Sequence, residues 1–164
     1  MNVIIGNITS FISCLLDAYS TTKDNKKSML VVQSFSIIVY TITNTLLKAY
    51  SAVVQNIFAL VRNILAAKGI KNKIVEYIII LGCLFLGIYF NNLGLIGLLP
   101  VFGNVEYSIC LFVLKDHIKG LKLSFFICNF CFIILNFYVS NYVGFVSNLI
   151  TAITTLIELL KKSK

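Results

Sequence analysis

Residues 44–56 read "NTLLKAYSAVVQN", and residues 136–148 read "NFYVSNYVGFVSN". Asn44, Tyr50 and Asn56 thus recur ninety-two positions later as Asn136, Tyr142 and Asn148, inside stretches otherwise apolar enough for lipid. Each stretch runs from the end of one hydrophobic segment into the next. A looser echo, at a slightly different offset, links "GNITSFISCLL" from Gly6 with "GNVEYSICLF" from Gly103. The pattern predicts an internal repeat in which three helices are followed by a linking helix and three more.

Composition sets the solvent. Apolar and aromatic residues make up 59% of the chain, charged residues 12%, and the mean hydropathy is +0.93. Ordinary globular domains are about a quarter charged, so an aqueous surface would lack ionic groups here. With a single proline and several runs approaching the roughly 20 residues that cross a bilayer, the chain reads as an all-α polytopic membrane protein. Hydrophobic runs divided at charged breaks predict spans at 2–20, 28–47, 50–67, 73–90, 93–114, 121–140 and 142–160. Residues 1–67 would form the first triplet, 73–90 the linker and 93–160 the second triplet, all in one membrane domain. The first span lacks the basic flank and cleavage site of a signal peptide and is expected to be retained.

Lysines support the count. Lys23, Lys26 and Lys27 fall between spans one and two, and Lys68, Lys71 and Lys73 between three and four. Lys115, Lys119 and Lys122 fall between five and six, and Lys161, Lys162 and Lys164 close the chain, whereas the alternate connections carry little besides Lys48. Short basic loops stay in the cytoplasm, which predicts an external N-terminus, a cytoplasmic C-terminus and parallel triplets. The net charge of +8 is therefore topological; the lysines form no stripe with aromatics, so nucleic acid is not an expected partner, while anionic lipid is.

Helix faces sharpen the repeat. On span three, Gln55, Asn56, Ala59, Arg62, Asn63 and Ala66 share one face; the shifted positions on span seven are Ser147, Asn148, Thr151, Thr154, Thr155 and Glu158. Polar stripes in lipid must face protein or a water-filled cavity. The repeated residues are therefore expected along an inner seam.

The order Gln33, Asn44, Tyr50, Asn56, Arg62, Asn63, then Pro100, Asn136, Tyr142 and Asn148 resembles the YgjV family of bacterial inner-membrane proteins. That resemblance implies a multi-pass inner-membrane protein and a plan shared with SWEET facilitators, PnuC vitamin transporters and KDEL receptors. The SWEET-type Pro-Gln pair is absent, and so is tryptophan, which PnuC-like sites use, so the substrate is left open.

Candidate site residues follow from burial in lipid. Arg62 would lie ~9 Å, and Glu106 ~13 Å, from the cytoplasmic ends of their spans, depths compatible with a gating ion pair. The plainer alternatives are a structural pair or a snorkelling Arg62, with Glu76 and Glu158 as rival partners. Asn56, Asn104 and Asn148, with Gln33, Asn129 and Asn136, are candidates to bind an uncharged polar solute, since amides offer both donors and acceptors. Each could instead be interhelical glue. Pro100, flanked by Gly97 and Gly103, is expected to kink or hinge span five. The CxxC at Cys128 and Cys131 lacks further ligands and reads as small apolar packing; His117 lacks catalytic partners and reads as a loop residue. No metal, cofactor or enzymatic activity is implied. The expected function is a facilitator or secondary carrier for a small polar solute, with alternating access around a midplane site. The alternative is a receptor or assembly subunit that binds without transporting, and a homo-oligomer is open to either.

Overall fold

The computed structural model describes residues 2–70, 72–114 and 117–161; Lys71, Lys115, Lys162 and Lys164 of the charge pattern lie outside them. The described residues form seven α-helices: α1 (Asn2–Thr21), α2 (Lys26–Leu46), α3 (Tyr50–Ala67), α4 (Lys73–Tyr89), α5 (Leu99–Val113), α6 (Ile118–Tyr138) and α7 (Tyr142–Leu160). Side-chain caps start several of them. Asn25 accepts from the Ser28 amide, Asn72 from Ile74 and Val75, and Asn141 from Gly144.

Five spans are long and apolar enough to cross a membrane: α2, α3, α6, α7, and α5 together with the 3₁₀ turn (Ile96–Leu98) before it. The other two helices fall short for different reasons. At 17 residues α4 reaches only about 26 Å. α1 has the length but carries Asn7, Thr9, Ser10, Ser13, Asp17 and Ser20 along it. Its outer face is nonetheless Ile4, Ile8, Phe11, Ile12 and Leu15, all exposed, while Ser10, Ser13, Asp17 and Ser20 are buried. The same inversion holds throughout: Ser, Thr, Asn and Gln fill much of the interior, and Ile, Leu and Phe cover the exterior. Water as solvent would favour the opposite arrangement, and hydrocarbon favours this one.

Packing closes a ring. α1 packs on α2, α2 on α3, α3 on α5, α5 on α6, α6 on α7, and α7 returns to α1; α4 lies outside against α3 and α5. Connections alternate between two ends of the ring. The Asn92 amide donates to the Lys48 carbonyl at 2.9 Å, and Asn7 accepts from the Val143 amide at 3.1 Å, so the 47–49, 90–95 and 139–141 connections share the end where α1 starts. At the other end, Lys26 reaches the Leu111 carbonyl and Lys122 reaches Glu158. Lys122 is the fifth residue of α6 and is buried, pairing with a half-buried Glu158 rather than lying in a loop.

The two repeated stretches fold alike. Lys48 and Ser140 both adopt φ of +57°, uncommon outside glycine, and the next residues, Ala49 and Asn141, both have φ −86° and ψ 71°. The Ala49 amide donates to the Asn44 carbonyl at 2.9 Å, and the Asn141 amide to the Asn136 carbonyl at 2.9 Å. These are the six-to-one bonds that close a helix C-terminus through a left-handed residue. The recurrent residues therefore have three separate tasks. Asn44 and Asn136 end a helix, Tyr50 and Tyr142 start the next one facing outward, and Asn56 and Asn148 point to the interior. Only the third pair belongs to the inner seam.

Two expectations for span five are corrected. Residues 93–95 are not helical, and Pro100 lies in the first turn of α5, where its missing N–H removes no bond from the helix interior. Gly103 is a contact point instead of a hinge. A Cβ there would lie 3.2 Å from the Cys128 Cα and 3.2 Å from the Cys131 Cβ, so the α5 and α6 backbones meet directly, with the two cysteines as small packing residues. Gly103→Leu should lower stability by about 1–3 kcal/mol or more, read by thermal melting in detergent. An unchanged melting temperature would show that the contact is loose.

Candidate functional site

A cavity lies at the centre of the ring, and all six ring helices line it. Asp17 comes from α1; Gln33, Ile37 and Tyr40 from α2; Asn56, Ala59 and Arg62 from α3. Asn104 and Tyr107 come from α5, Phe125, Cys128, Asn129 and Phe132 from α6, and Asn148 from α7. The centre of a water-sized sphere can range over ≈ 60 Å³ within it, room for about four waters or a solute of roughly that size.

Helix periodicity explains who faces it. Asn56, Ala59 and Arg62 follow each other at three-residue steps, as do Gln33, Ile37 and Tyr40 at three or four, and Asn104 and Tyr107 at three. Apolar layers lie beyond the cavity along the ring axis. Towards the end where α2 starts are Leu30, Leu111 and Leu121, with Ala66 and Ala67 against them. Towards the other are Ala49, Ala52 and Leu135, with Leu93, Ile96 and Phe132.

Arg62 is 1% exposed. Its Nη1 donates to Ser108 Oγ at 2.9 Å and to the Asn104 carbonyl at 3.4 Å, and its Nε donates to Asn63 Oδ1 at 3.1 Å. The guanidinium carbon stands 4.6 Å from the centre of the Tyr107 ring, whose face attracts a cation. No carboxylate among the described residues pairs with it. The expected Arg62–Glu106 pair is therefore not formed. Glu106 stands two residues from Asn104, about 200° around the helix, and so faces away from the cavity. Its carboxylate accepts from Ser124 Oγ at 2.8 Å and from Cys110 Sγ at 3.2 Å. Glu158, a rival candidate, pairs with Lys122 at 3.7 Å and with Lys161.

Of the six amides singled out in the sequence, Gln33, Asn56, Asn104, Asn129 and Asn148 line the cavity. Asn136 does not. Its Oδ1 accepts from Asn141 Nδ2 at 3.0 Å, in a buried network with Ser10 that fastens the α6–α7 turn to α1. Tyr40 donates to Asn148 Oδ1 at 3.0 Å, and Tyr107 donates to Gln33 Oε1 at 3.1 Å. Gln33 Nε2 and Asn56 Nδ2 are buried donors without a partner among the described residues, both on cavity-lining residues.

A protein-family model described as a bacterial inner membrane protein matches residues 4–164. The chain belongs to the Imp-YgjV family. Neither a curated protein nor a solved structure matches it. The YgjV match covers every residue that lines the cavity.

Among the lining residues of this YgjV protein that sequence reasoning missed are Asp17, Tyr40 and Tyr107, which carry ionisable or hydroxyl groups. Asp17 carried a clear signal, a lone carboxylate three residues from the end of the first hydrophobic run. Ionisable residues inside membrane helices point to function by default. Drawing the α1 face would have joined Asp17 to Ser10, Ser13 and Ser20, all now buried.

Proposed function

We propose that this protein is a facilitator or secondary carrier for a small polar solute, built from two parallel three-helix units joined by α4. All seven helices cross the inner membrane in this reading, with the N-terminus outside and the C-terminus in the cytoplasm. The observation that carries it is the central cavity, lined by five amides and two charged residues from six helices and set between two apolar layers. The matching backbone of the turns at Lys48 and Ser140 supports the repeat, and equivalent units rocking about a shared midplane site is how repeat-built carriers alternate access. α1 crosses despite its polarity because that polarity faces the ring, and α4 because α3 shields one side of it. Gln55 Nε2 donates to the Cys83 carbonyl at 2.8 Å across the α3–α4 contact.

Two measurements test this reading. Impermeant maleimide should label cysteines placed at Lys23 or Lys119 only in inverted vesicles, and at Asn91 only in right-side-out vesicles. The reverse pattern at Asn91 would overturn the orientation. Asn148→Cys should then become labelled in both vesicle types, with the wild-type chain as control. Labelling from one side only would favour a receptor that binds without transporting.

A further inference from the structure

Asp17 and Arg62 line one cavity from α1 and α3, yet they are not within ion-pair distance of each other. Asp17 is 6% exposed and no cation among the described residues reaches it. Two opposite charges in a membrane interior would ordinarily meet, since each is expensive alone. Here their positions are held apart. Tyr107, Ser108 and Asn63 hold the guanidinium on the α3–α5 side through its face, Nη1 and Nε. The Tyr107 hydroxyl also occupies Gln33 Oε1, which leaves Gln33 Nε2 as an unspent donor, as is Asn56 Nδ2. The cavity wall thus offers a cation from α3, two free amide donors from α2 and α3, and a carboxylate from α1.

We infer that the cavity takes a small zwitterion, a molecule with a carboxylate for Arg62, Gln33 and Asn56 and an ammonium group for Asp17. This rests on the carrier reading above and adds the substrate class to it. A simple anion would satisfy Arg62 and be repelled by Asp17; a simple cation would meet the converse. A neutral polyol would leave both charges uncompensated. A zwitterion answers both and brings no net charge into a chamber whose own two charges cancel.

The test is calorimetric binding to the purified full chain in detergent. The probes are glycine, β-alanine, 4-aminobutyrate and 5-aminovalerate, which vary the separation of the charges. Each is compared with the matching fatty acid, the matching alkylamine and glycerol. At least one ω-amino acid should bind about 10–100-fold more tightly than its acid and amine counterparts, the range for losing a hydrogen bond to a charged group. Arg62→Gln should abolish the advantage over the amine, and Asp17→Asn the advantage over the acid. Arg62→Lys and Asp17→Glu should retain part of it, which separates loss of charge from loss of fold. Equal binding of an acid, an amine or glycerol, or no binding by any ω-amino acid, overturns the proposal. Flux of the bound probe through proteoliposomes separates the two readings. Binding without flux overturns the carrier and leaves the zwitterion site standing, while glycerol flux without ω-amino acid binding does the reverse.

Discussion

Arg62→Met should lower stability by about 1–4 kcal/mol, and Glu106→Gln should add to that loss without coupling to it. Two good hydrogen bonds from the guanidinium, to Ser108 and Asn63, contribute about 1.5–3 kcal/mol each when one partner is charged. The Tyr107 face adds roughly 0.5–2 kcal/mol. Against this, removing the charge relieves a desolvation cost of about 2.5–3.5 kcal/mol on insertion scales. The hydrogen bonds win, partly because Asn63 Nδ2 already lacks a partner and Met would leave Asn63 Oδ1 without one too. A double-mutant cycle separates the candidates. Arg62→Met with Glu106→Gln should be additive to about 0.5 kcal/mol, as expected of groups sharing no partner, whereas Arg62→Met with Ser108→Ala should couple by about 0.5–3 kcal/mol. Strong coupling to Glu106 would mean that the ion pair forms in a state with a different α5 rotation.

That comparison also marks what a sequence can disclose. Depth along a helix is readable from a count of residues, and it put Arg62 and Glu106 at compatible heights. Azimuth is readable as well, from the stripe of Asn104, Tyr107, Ser108 and Leu111, and it turns Glu106 away. Combining the two would have rejected the pair. Pro100 is a similar case, because a proline near a helix start is as ordinary as one at a kink, and only the non-helical 93–95 segment distinguishes them. The α3 stripe of Gln55, Asn56, Ala59, Arg62 and Asn63 is buried and its last member, Ala66, half-buried, but how the stripe divides between neighbours is not legible. Gln55 turns to Cys83 on α4, while Asn56, Ala59 and Arg62 turn to the cavity. Which helix neighbours which is a tertiary choice with no local signature.

Asn141→Leu should be among the most damaging single changes in the chain, at about 3–6 kcal/mol, although the matching position of the 44–56 stretch is an alanine. Both turns have the same backbone, so backbone geometry does not require the amide. Its surroundings do. Asn141 Oδ1 accepts from the Gly144 amide at 3.0 Å and from Ser10 Oγ at 3.2 Å, and Nδ2 donates to Ser10 Oγ and to Asn136 Oδ1, both at 3.0 Å. Every partner is buried, so leucine would orphan several groups at about 1–3 kcal/mol each. Ala49 instead packs in an apolar cluster with Ala52 and Leu135, and its turn is tied from outside by the exposed Asn92–Lys48 bond. Asn92→Ala should therefore cost less than about 1 kcal/mol, a neutral bond whose groups water can replace. The asymmetry has a structural cause, since the α6–α7 turn is the one that docks on α1 and closes the ring. Thermal melting of the two variants in detergent, together with Asn141→Asp to keep the cap acceptor, checks it. Equal losses for Asn141→Leu and Asn92→Ala would show that ring closure at α1 and α7 does not depend on this network.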